Sequence, residues 1–360
     1  MDGDVLVTDE NERCRLLEQL SQMAPGTPMR DGFERILRGR TGALVVLGSN
    51  PVVREISTGG FGLDVAYSAT ALRELAKMDG AIIIDSATDR IVGAGVHLTP
   101  SPEIHTVETG TRHRTADRVS RQTGLPVVSV SASMSTITLY LDQHRHLVEH
   151  SDQLLSRANQ ALHTLERYRA RLWEVTHRLS ALEVQDQVTV KDLALVAQRL
   201  EMVRRLHLEV VGYGVELGSD GRLVTLQLQE LDTGTDDLRD LLERDYRPED
   251  PSSEFGFQRL AELDAAELLN PLSVARSIGF GVDQHLDAPV TTRGYRQVTQ
   301  INRLPATLGN RLIEHFGSLQ ALFSATSAEL QEVDGVGEGR ARIIRDGLLR
   351  LAESAYIDPV

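Results

Sequence analysis

The stretch TALRELAKMDGAIIIDSATDRIVGAGVHL (residues 70–98) decides the fold class. TALRELAKM (70–78) has the composition and spacing of a helix, AIIID (81–85) is a short apolar run, and IVGAGVHL (91–98) is a second one. Short apolar runs bounded by turn residues read as buried strands. Upstream, Phe33, Ile36 and Leu37 fall at helical spacing and Ala43–Leu47 reads as another strand. Downstream, RTADRVSRQTG (114–124) is helical, and PVVSVS (126–131) and TITLYL (136–141) are strands. Strands interleaved with helices predict an α/β domain, a mixed sheet flanked by helices, ending near residue 145.

The pattern then changes. Leu154, Ala158, Ala161, Leu165, Tyr168, Leu172, Val175, Leu179 and Leu182 alternate steps of four and three, a heptad seam on one long helix. A second helical run carries Leu193, Val196, Ala197, Leu200, Val203 and Leu206 on one face, and is expected to fill that seam within the chain. VVGYGVELGSDGRLVTLQLQEL reads as a short hairpin turning at Ser219-Asp220-Gly221, RPEDPSSEFG (247–256) as a loop, and APVTTRGY (288–295) as a link into a last helical domain. The expected plan is a polar arm (1–25), an α/β domain (26–145), a helical spine (146–290) and a C-terminal helix-hairpin-helix domain (291–360).

Composition narrows the function classes. A net charge of −14 argues against broad non-specific binding to nucleic acid, so any DNA contact must come from a local patch. Cys14 is the single cysteine, which excludes an intramolecular disulfide and fits a reducing compartment; a cytoplasmic location is expected. The first residues, MDGDVLVTDENE, do not form a signal peptide, and no apolar run is long enough to span a membrane.

Two segments of the α/β domain carry chemistry. Asp79-Gly80-Ala81 sits at a helix-to-strand junction. A carboxylate there can ligate a hard cation or accept a proton from a sugar hydroxyl, and Gly80 permits close backbone approach. Taken alone, Asp-Gly is a common turn signal. Gly110-Thr111-Arg112-His113-Arg114-Thr115 places a glycine, hydroxyls and cationic side chains at a helix start. Backbone amides and the helix dipole favour an anion at such a point, and arginine forks suit phosphate oxygens. Taken alone, this too can be a solvated basic helix start.

DGA followed about thirty residues later by GTRHR resembles the paired signature of the DisA-type diadenylate cyclase family. RDGFERILRGRTGALVVLG, QTGLPVVSVS and TITLYL around it, the helical middle and the C-terminal run extend the resemblance from about residue 25 to near the end. The resemblance implies that two ATP are condensed into cyclic di-AMP. Asp79 would bind the catalytic metal, Mg²⁺ or Mn²⁺, and help activate the ribose 3′-hydroxyl. Gly80 and Ala81 would shape the floor under ribose and phosphates. Gly110, Thr111, Arg112, His113 and Arg114 would hold the triphosphate, Thr115 and the backbone of Leu98 would lie near the adenine, and Ser131 would contact a terminal phosphate. Many members of the family that the chain resembles carry a basic residue after that serine; here it is Ala132, so the resemblance implies that one pyrophosphate contact is missing or supplied elsewhere. The family also implies face-to-face cyclase domains within a homo-octamer.

The C-terminal run LQEVDGVGEGRARIIRDGL contains Gly335, Val336, Gly337, Gly339 and Arg340, which resemble the hairpin of a helix-hairpin-helix motif offering backbone N–H groups to a DNA phosphate. INRLPATLGNRLIEHFGSL reads as a weaker copy with Pro305 and Gly309 in its turn. From residue 293 to 350 arginines occupy 293, 296, 303, 311, 340, 342, 345 and 350, against carboxylates at 314, 329, 332, 334, 338 and 346, so this end is slightly basic within an acidic chain. Branched DNA such as a four-way junction is the expected partner, read by shape. The competing reading is a DNA-binding scaffold whose nucleotide domain only senses ATP; Asp79 separates the two, since a sensor needs no metal-binding carboxylate. A generic nucleotidyltransferase is disfavoured by the lack of an Asp-x-Asp pair beside a Gly-Ser turn.

Overall fold

Proline- and glycine-bounded apolar runs become the strands of a single sheet. The computed structural model describes residues 10–231, 234–248, 255–281 and 284–357. These fall into two compact units, one of residues up to Gln160 with Glu209–Gln227, the other of Ala161–Leu208 with the residues from Leu228 onward.

The first unit holds α1 (Glu10–Gln22), α2 (Pro28–Arg38), β1 (Ala43–Leu47), α3 (Pro51–Glu55), β2 (Ser57–Thr58), β3 (Phe61–Ala66), α4 (Ala69–Leu75), β4 (Ala81–Asp85), β5 (Arg90–Leu98), α5 (Thr111–Thr123), β6 (Val127–Ser131), β7 (Thr136–Leu141) and β8 (His144–Val148). The strand order is β2-β5-β4-β1-β6-β7-β8, with β3 also on β5. Only β1 and β4 run parallel; the other pairs are antiparallel. Alternate side chains serve two cores. Val45, Leu47, Ile82, Ile84, Val128 and Val130 pack with Phe33 and Ile36 of α2 and Leu72 of α4. Leu44, Val46, Ala81, Ile83, Val96 and Val127 pack with Ala116 and Val119 of α5. Burial on both faces explains why these strands read as unbroken apolar runs.

Two expectations are corrected here. The polar arm is helical from residue 10: α1 buries Leu20, and Met23 and Ala24 follow it into the core, while Arg15 pairs with Asp142 at 2.9 Å. Residues 1–9 lie outside the described residues. The expected hairpin around Ser219 is instead helical throughout. α7 (Val190–Leu217) runs through Gly212 and Gly214, a 3₁₀ turn (Gly218–Gly221) follows, and α8 (Arg222–Leu231) continues. The glycines thin the helix rather than break it. Gly212 faces Leu17, Gly214 faces Thr225, and a Cβ on Gly218 would meet the Pro25 carbonyl at 2.5 Å.

The heptad seam is one helix, α6 (Ser151–Val184), which contributes residues to both units. Leu165, Leu172 and Leu179 are buried by the chain itself, as an intrachain bundle requires. Thr189 caps α7, its hydroxyl donating to Asp192 at 2.5 Å. The second unit continues with α9 (Thr235–Tyr246), α10 (Ala265–Leu268), α11 (Pro271–Ser277), α12 (Tyr295–Thr299), α13 (Ala306–Phe316), α14 (Leu319–Ser324), α15 (Ser327–Gln331) and α16 (Glu338–Ile357). Most of the expected loop at 247–256 lies outside the described residues.

The last five helices contain the same turn twice. Arg303 and Gly335 have positive φ (65° and 91°), 335 − 303 = 32 residues apart. At the same spacing, Leu304 donates to the Ile301 carbonyl and Val336 to that of Val333, while Gly309 donates to Pro305 and Ala341 to Gly337. Gly309 is therefore not in the turn, as its sequence position suggested. It lies inside α13, where a Cβ would meet Val298 at 2.8 Å.

A charged cluster ties the end of α6 to the start of α12. Glu183 accepts from the Tyr246 hydroxyl (2.6 Å), the Gln297 amide (2.6 Å) and Arg296. Asp245 accepts from the backbone N–H groups of Gly294, Tyr295 and Arg296. Burial, then the Glu183 charge, push the Asp245 carboxyl up to about 7. The unfolded chain releases that proton near the ordinary value of about 3.9, so this group costs stability as pH rises from there towards 7. Asp245→Asn has no proton to lose. Its stability relative to wild type should rise between pH 4 and 7 in paired thermal melts; a difference independent of pH would contradict this.

Candidate active site at one edge of the sheet

The parallel pairing of β1 with β4 decides what meets what. Leu44 lies beside Ala81 on one side and Ser129 on the other, and Ala81 faces Val96. One edge of the sheet thus carries the start of β1, the start of β4, the end of β5 and the end of β6. The connection Gly124–Pro126 turns α5 back on β6, so the N-terminus of α5 comes to the same edge as Ser131. Arg112 confirms the placement: its guanidinium lies against Gly42, just before β1, where any Cβ would collide with it. Asp79, Gly80, Ala81, Leu98, Gly110–Thr115 and Ser131 are all brought to this edge.

Their surroundings differ. Asp79 is exposed in the turn before β4, and one of its oxygens accepts from the Gly80 N–H at 3.1 Å. Ala81 is buried as the first residue of β4. Leu98 ends β5 beside Ser57, with its side chain in the core under α5. Gly110 is the N-cap of α5 and supplies no capping side chain, so the first-turn amides lack the usual side-chain acceptor. Thr111, Arg112 and Arg114 are exposed around them. The Thr115 hydroxyl is engaged with the Thr111 carbonyl at 3.0 Å. Ser131 is buried, its hydroxyl 3.3 Å from that of Ser133. His113 is also buried, Nδ1 being 2.8 Å from the Tyr140 hydroxyl. Desolvation holds its pKa below the ordinary histidine value.

An uncapped helix start flanked by two exposed arginines is suited to a polyphosphate. Asp79 offers one carboxylate, and among the described residues no group of three or more His, Cys, Asp or Glu side chains is placed to hold a metal. That donor set fits Mg²⁺ or Mn²⁺ only in the manner of ions held by one or two carboxylates together with substrate phosphates and water.

Residues 30–145 match the family model described as DisA bacterial checkpoint controller nucleotide-binding, and residues 148–286 the DisA bacterial checkpoint controller linker region. A DNA integrity scanning protein DisA from Acidothermus cellulolyticus is 56% identical over 98% of this chain and 97% of its own length. One from Streptomyces coelicolor is 56% identical over 94% of this chain and 92% of its own. The chain belongs to the DisA family.

Sequence reasoning missed several residues at this edge. In this DisA-family chain Gly80 (φ 114°) packs backbone to backbone on Gly95 (φ 63°), where a Cβ on Gly80 would sit 2.5 Å from the Gly95 carbonyl carbon. Gly60 (φ 76°) closes on the same peptide, its Cβ position 2.8 Å from the Ala94 carbonyl oxygen. The β4–β5 register shifts there, between Ala81 and Ile83. A glycine pair within an otherwise apolar strand, as in Val92-Gly93-Ala94-Gly95, is the available signal for such a bulge. Tyr140, whose hydroxyl meets His113 Nδ1, and Glu108, in the loop before α5 and paired with Arg145 at 3.1 Å, were also missed; nothing in their spacing marks them.

Gly80→Ala should therefore destabilise the protein by ~3 kcal/mol, combining left-handed strain with a backbone collision. Gly59→Ala, also at positive φ (62°) but with nothing within 4 Å, should cost only about 1 kcal/mol. Denaturant melts of the two variants check the contrast, and equal losses would refute close packing at Gly80.

Proposed function

We propose that the activity family membership gives this chain, condensation of two ATP into cyclic di-AMP with release of two pyrophosphates, takes place where Asp79–Ala81 meets the first turn of α5. The observation that carries this reading is the uncapped α5 N-terminus, with Arg112 and Arg114, set at the same sheet edge as the Asp79 carboxylate. The amides of Thr111, Arg112 and His113 and the two guanidiniums hold the triphosphate. Gly80 and Ala81 form the floor beneath ribose and α-phosphate, Leu98 and Thr115 border the adenine, and Ser131 reaches a terminal phosphate with Ala132 adding no charge.

In each half-reaction the 3′-oxygen of one ATP attacks the α-phosphorus of the other, its proton leaves, and pyrophosphate departs. Asp79 positions and helps deprotonate the hydroxyl. A bound Mg²⁺ or Mn²⁺ supplies charge neutralisation at the phosphates. Arg112 and Arg114 offset the charge that builds on the leaving pyrophosphate. Two such transfers close a symmetric ring, so two sites must face each other about a two-fold axis; face-to-face cyclase domains in an octamer provide that.

The C-terminal pair of turns forms a helix-hairpin-helix module at 291–360, joined by the 146–290 spine to the cyclase domain at 26–145, in a cytoplasmic protein. Gly335–Gly339 and Arg340 contact DNA phosphates through backbone N–H groups, and branched DNA such as a four-way junction is bound by shape. The relatives' name, DNA integrity scanning protein, supports a checking role coupled to the cyclase.

Incubation with ATP and Mg²⁺ or Mn²⁺, followed by mass analysis, tests the site. Asp79→Asn keeps an oxygen for the Gly80 N–H, so the fold should survive while cyclic di-AMP formation falls by ~100-fold or more. Near-normal turnover would remove Asp79 from the reaction. For the DNA module, Gly337 has open space around it. Gly337→Leu should fold normally by circular dichroism yet lose most junction affinity in gel shifts, with cyclase rate unchanged. Undiminished affinity would exclude this hairpin from the DNA site.

A further inference from the structure

Arg35, Arg38 and Arg40 crowd the end of α2, and two of them are answered by carboxylates. Arg35 holds Asp31 at 2.8 Å, and Arg38 lies 3.6 Å from Glu34 and 3.9 Å from Asp31. Arg40 is exposed and has neither an ion pair nor a side-chain hydrogen bond among the described residues. Its backbone is also unusual. Arg40 has φ 52°, in the left-handed region, while Gly39 before it is right-handed at φ −75°. The Arg40 N–H donates to the Leu37 carbonyl at 2.9 Å and the Thr41 N–H to that of Ile36 at 3.2 Å, the two bonds that close a helix over a left-handed residue. Glycine is favoured at such a position, and an arginine there carries a steric cost that glycine would not.

Sheet register says where this arginine stands. β1 and β6 are antiparallel with Ala43 opposite Val130, so one step further sets Gly42 beside Ser131. The Arg112 guanidinium lies against Gly42, in the space a Cβ would take. Arg40 is two residues back, a span of at most about 7 Å between Cα atoms. Arg40, Arg112 and Ser131 are therefore gathered at the start of β1. The turn that follows Ser131, Ala132-Ser133-Met134, brings no cation of its own.

We infer that Arg40 is a phosphate-contacting residue of the cyclase site, closing its guanidinium on the terminal phosphates of ATP beside Ser131, and so on the pyrophosphate that leaves. The inference rests on the triphosphate reading of the α5 N-terminus. A guanidinium offers forked, charge-assisted donors that match phosphate oxygens. Being unpaired, Arg40 has no carboxylate to leave before it binds, unlike Arg35 and Arg38. Its left-handed backbone is the kind of local strain that persists where a side chain is needed at a site. As the bond to the α-phosphorus breaks, negative charge grows on the departing oxygen, and a cation there stabilises the transition state more than the bound substrate.

Calorimetry on the full-length protein with Mg²⁺ and 3′-deoxy-ATP, which lacks the attacking hydroxyl, compares wild type with Arg40→Gly, Arg40→Lys, Arg38→Ala and Arg112→Ala. Arg40→Gly should bind about 10-fold more weakly or worse, and Arg40→Lys should recover part of that loss. Arg38→Ala, an equal change of charge two residues away, should match wild type. The melting temperature of Arg40→Gly should equal or exceed that of wild type, because glycine suits the left-handed position. A lower melting temperature with affinity intact would make Arg40 a structural residue and overturn the inference. Wild-type affinity in Arg40→Gly while Arg112→Ala is weakened overturns the role of Arg40 and leaves the triphosphate site standing. Equal losses in Arg40→Gly and Arg38→Ala would reduce the effect to surface charge and overturn it as well. Full affinity in Arg112→Ala too, or no binding by wild type, counts against the triphosphate site itself, and the inference falls with it.

Discussion

The site exists because the peptide chain before β4 can touch the peptide chain of β5. Gly80, Gly95 and Gly60 all have positive φ, and a Cβ on Gly80 or Gly60 would fall within 3 Å of the Ala94–Gly95 backbone. With side chains there, β4 would start farther from β5, the bulge after Ala81 would not form, and the Asp79 carboxylate would leave the edge shared with α5. Three glycines thus hold that turn close against β5. The conformational entropy they lose on folding is offset by the two apolar cores that clamp the strands from both sides.

The α/β domain was legible because its strands are short apolar runs with helices between them. Its flanks were less so. A hydrophilic N-terminal segment hid α1, since Leu16, Leu20 and Met23 are few among charges, although they fall at helical spacing. The hairpin expected around Ser219 failed because glycine is a turn signal only when the chain is free to turn. Gly212, Gly214 and Gly218 face close neighbours, and tertiary packing overrides their low helix propensity. Asp79, Gly80 and the GTRHR segment could be singled out from residue type, and the roles given to them came from the resemblance to the DisA family. Glu108 and Tyr140 could not: they come from a loop and a strand that meet only in three dimensions, and a tyrosine in an apolar strand looks like core.

Charge is distributed to the same end. A chain of net charge −14 keeps Arg112 and Arg114 exposed around an uncapped helix start, while many other arginines are spent on neighbouring carboxylates, as in Arg35–Asp31, Arg121–Asp117 and Arg204–Glu201. Arg35–Asp31 is exposed and contributes little stability, whereas the carboxylates of Asp117 and Glu201 are buried against their arginines. Such pairing does lower the field of an acidic surface locally, so that uncommitted donors at one edge dominate what an anion meets.

The same reasoning separates the two C-terminal turns, which share backbone geometry but not donors. In the first, the residue opening the helix is Pro305, which has no N–H, and the left-handed position is Arg303. In the second, the equivalent positions are Gly337 and Gly335, so the amide is present, and a Cβ on Gly337 would meet nothing within 4 Å. Arg340 folds back to the Gly335 carbonyl at 2.7 Å and Arg311 to that of Asp334 at 3.2 Å, bracing the turn. Two turns with one backbone path therefore differ in the donors they offer. Both copies anchor the same hydrophobic core, the first through Ile301, Leu308 and Leu312 and the second through Val333, Val336 and Ile344, and only the glycine copy keeps the amide whose chemistry suits a phosphate.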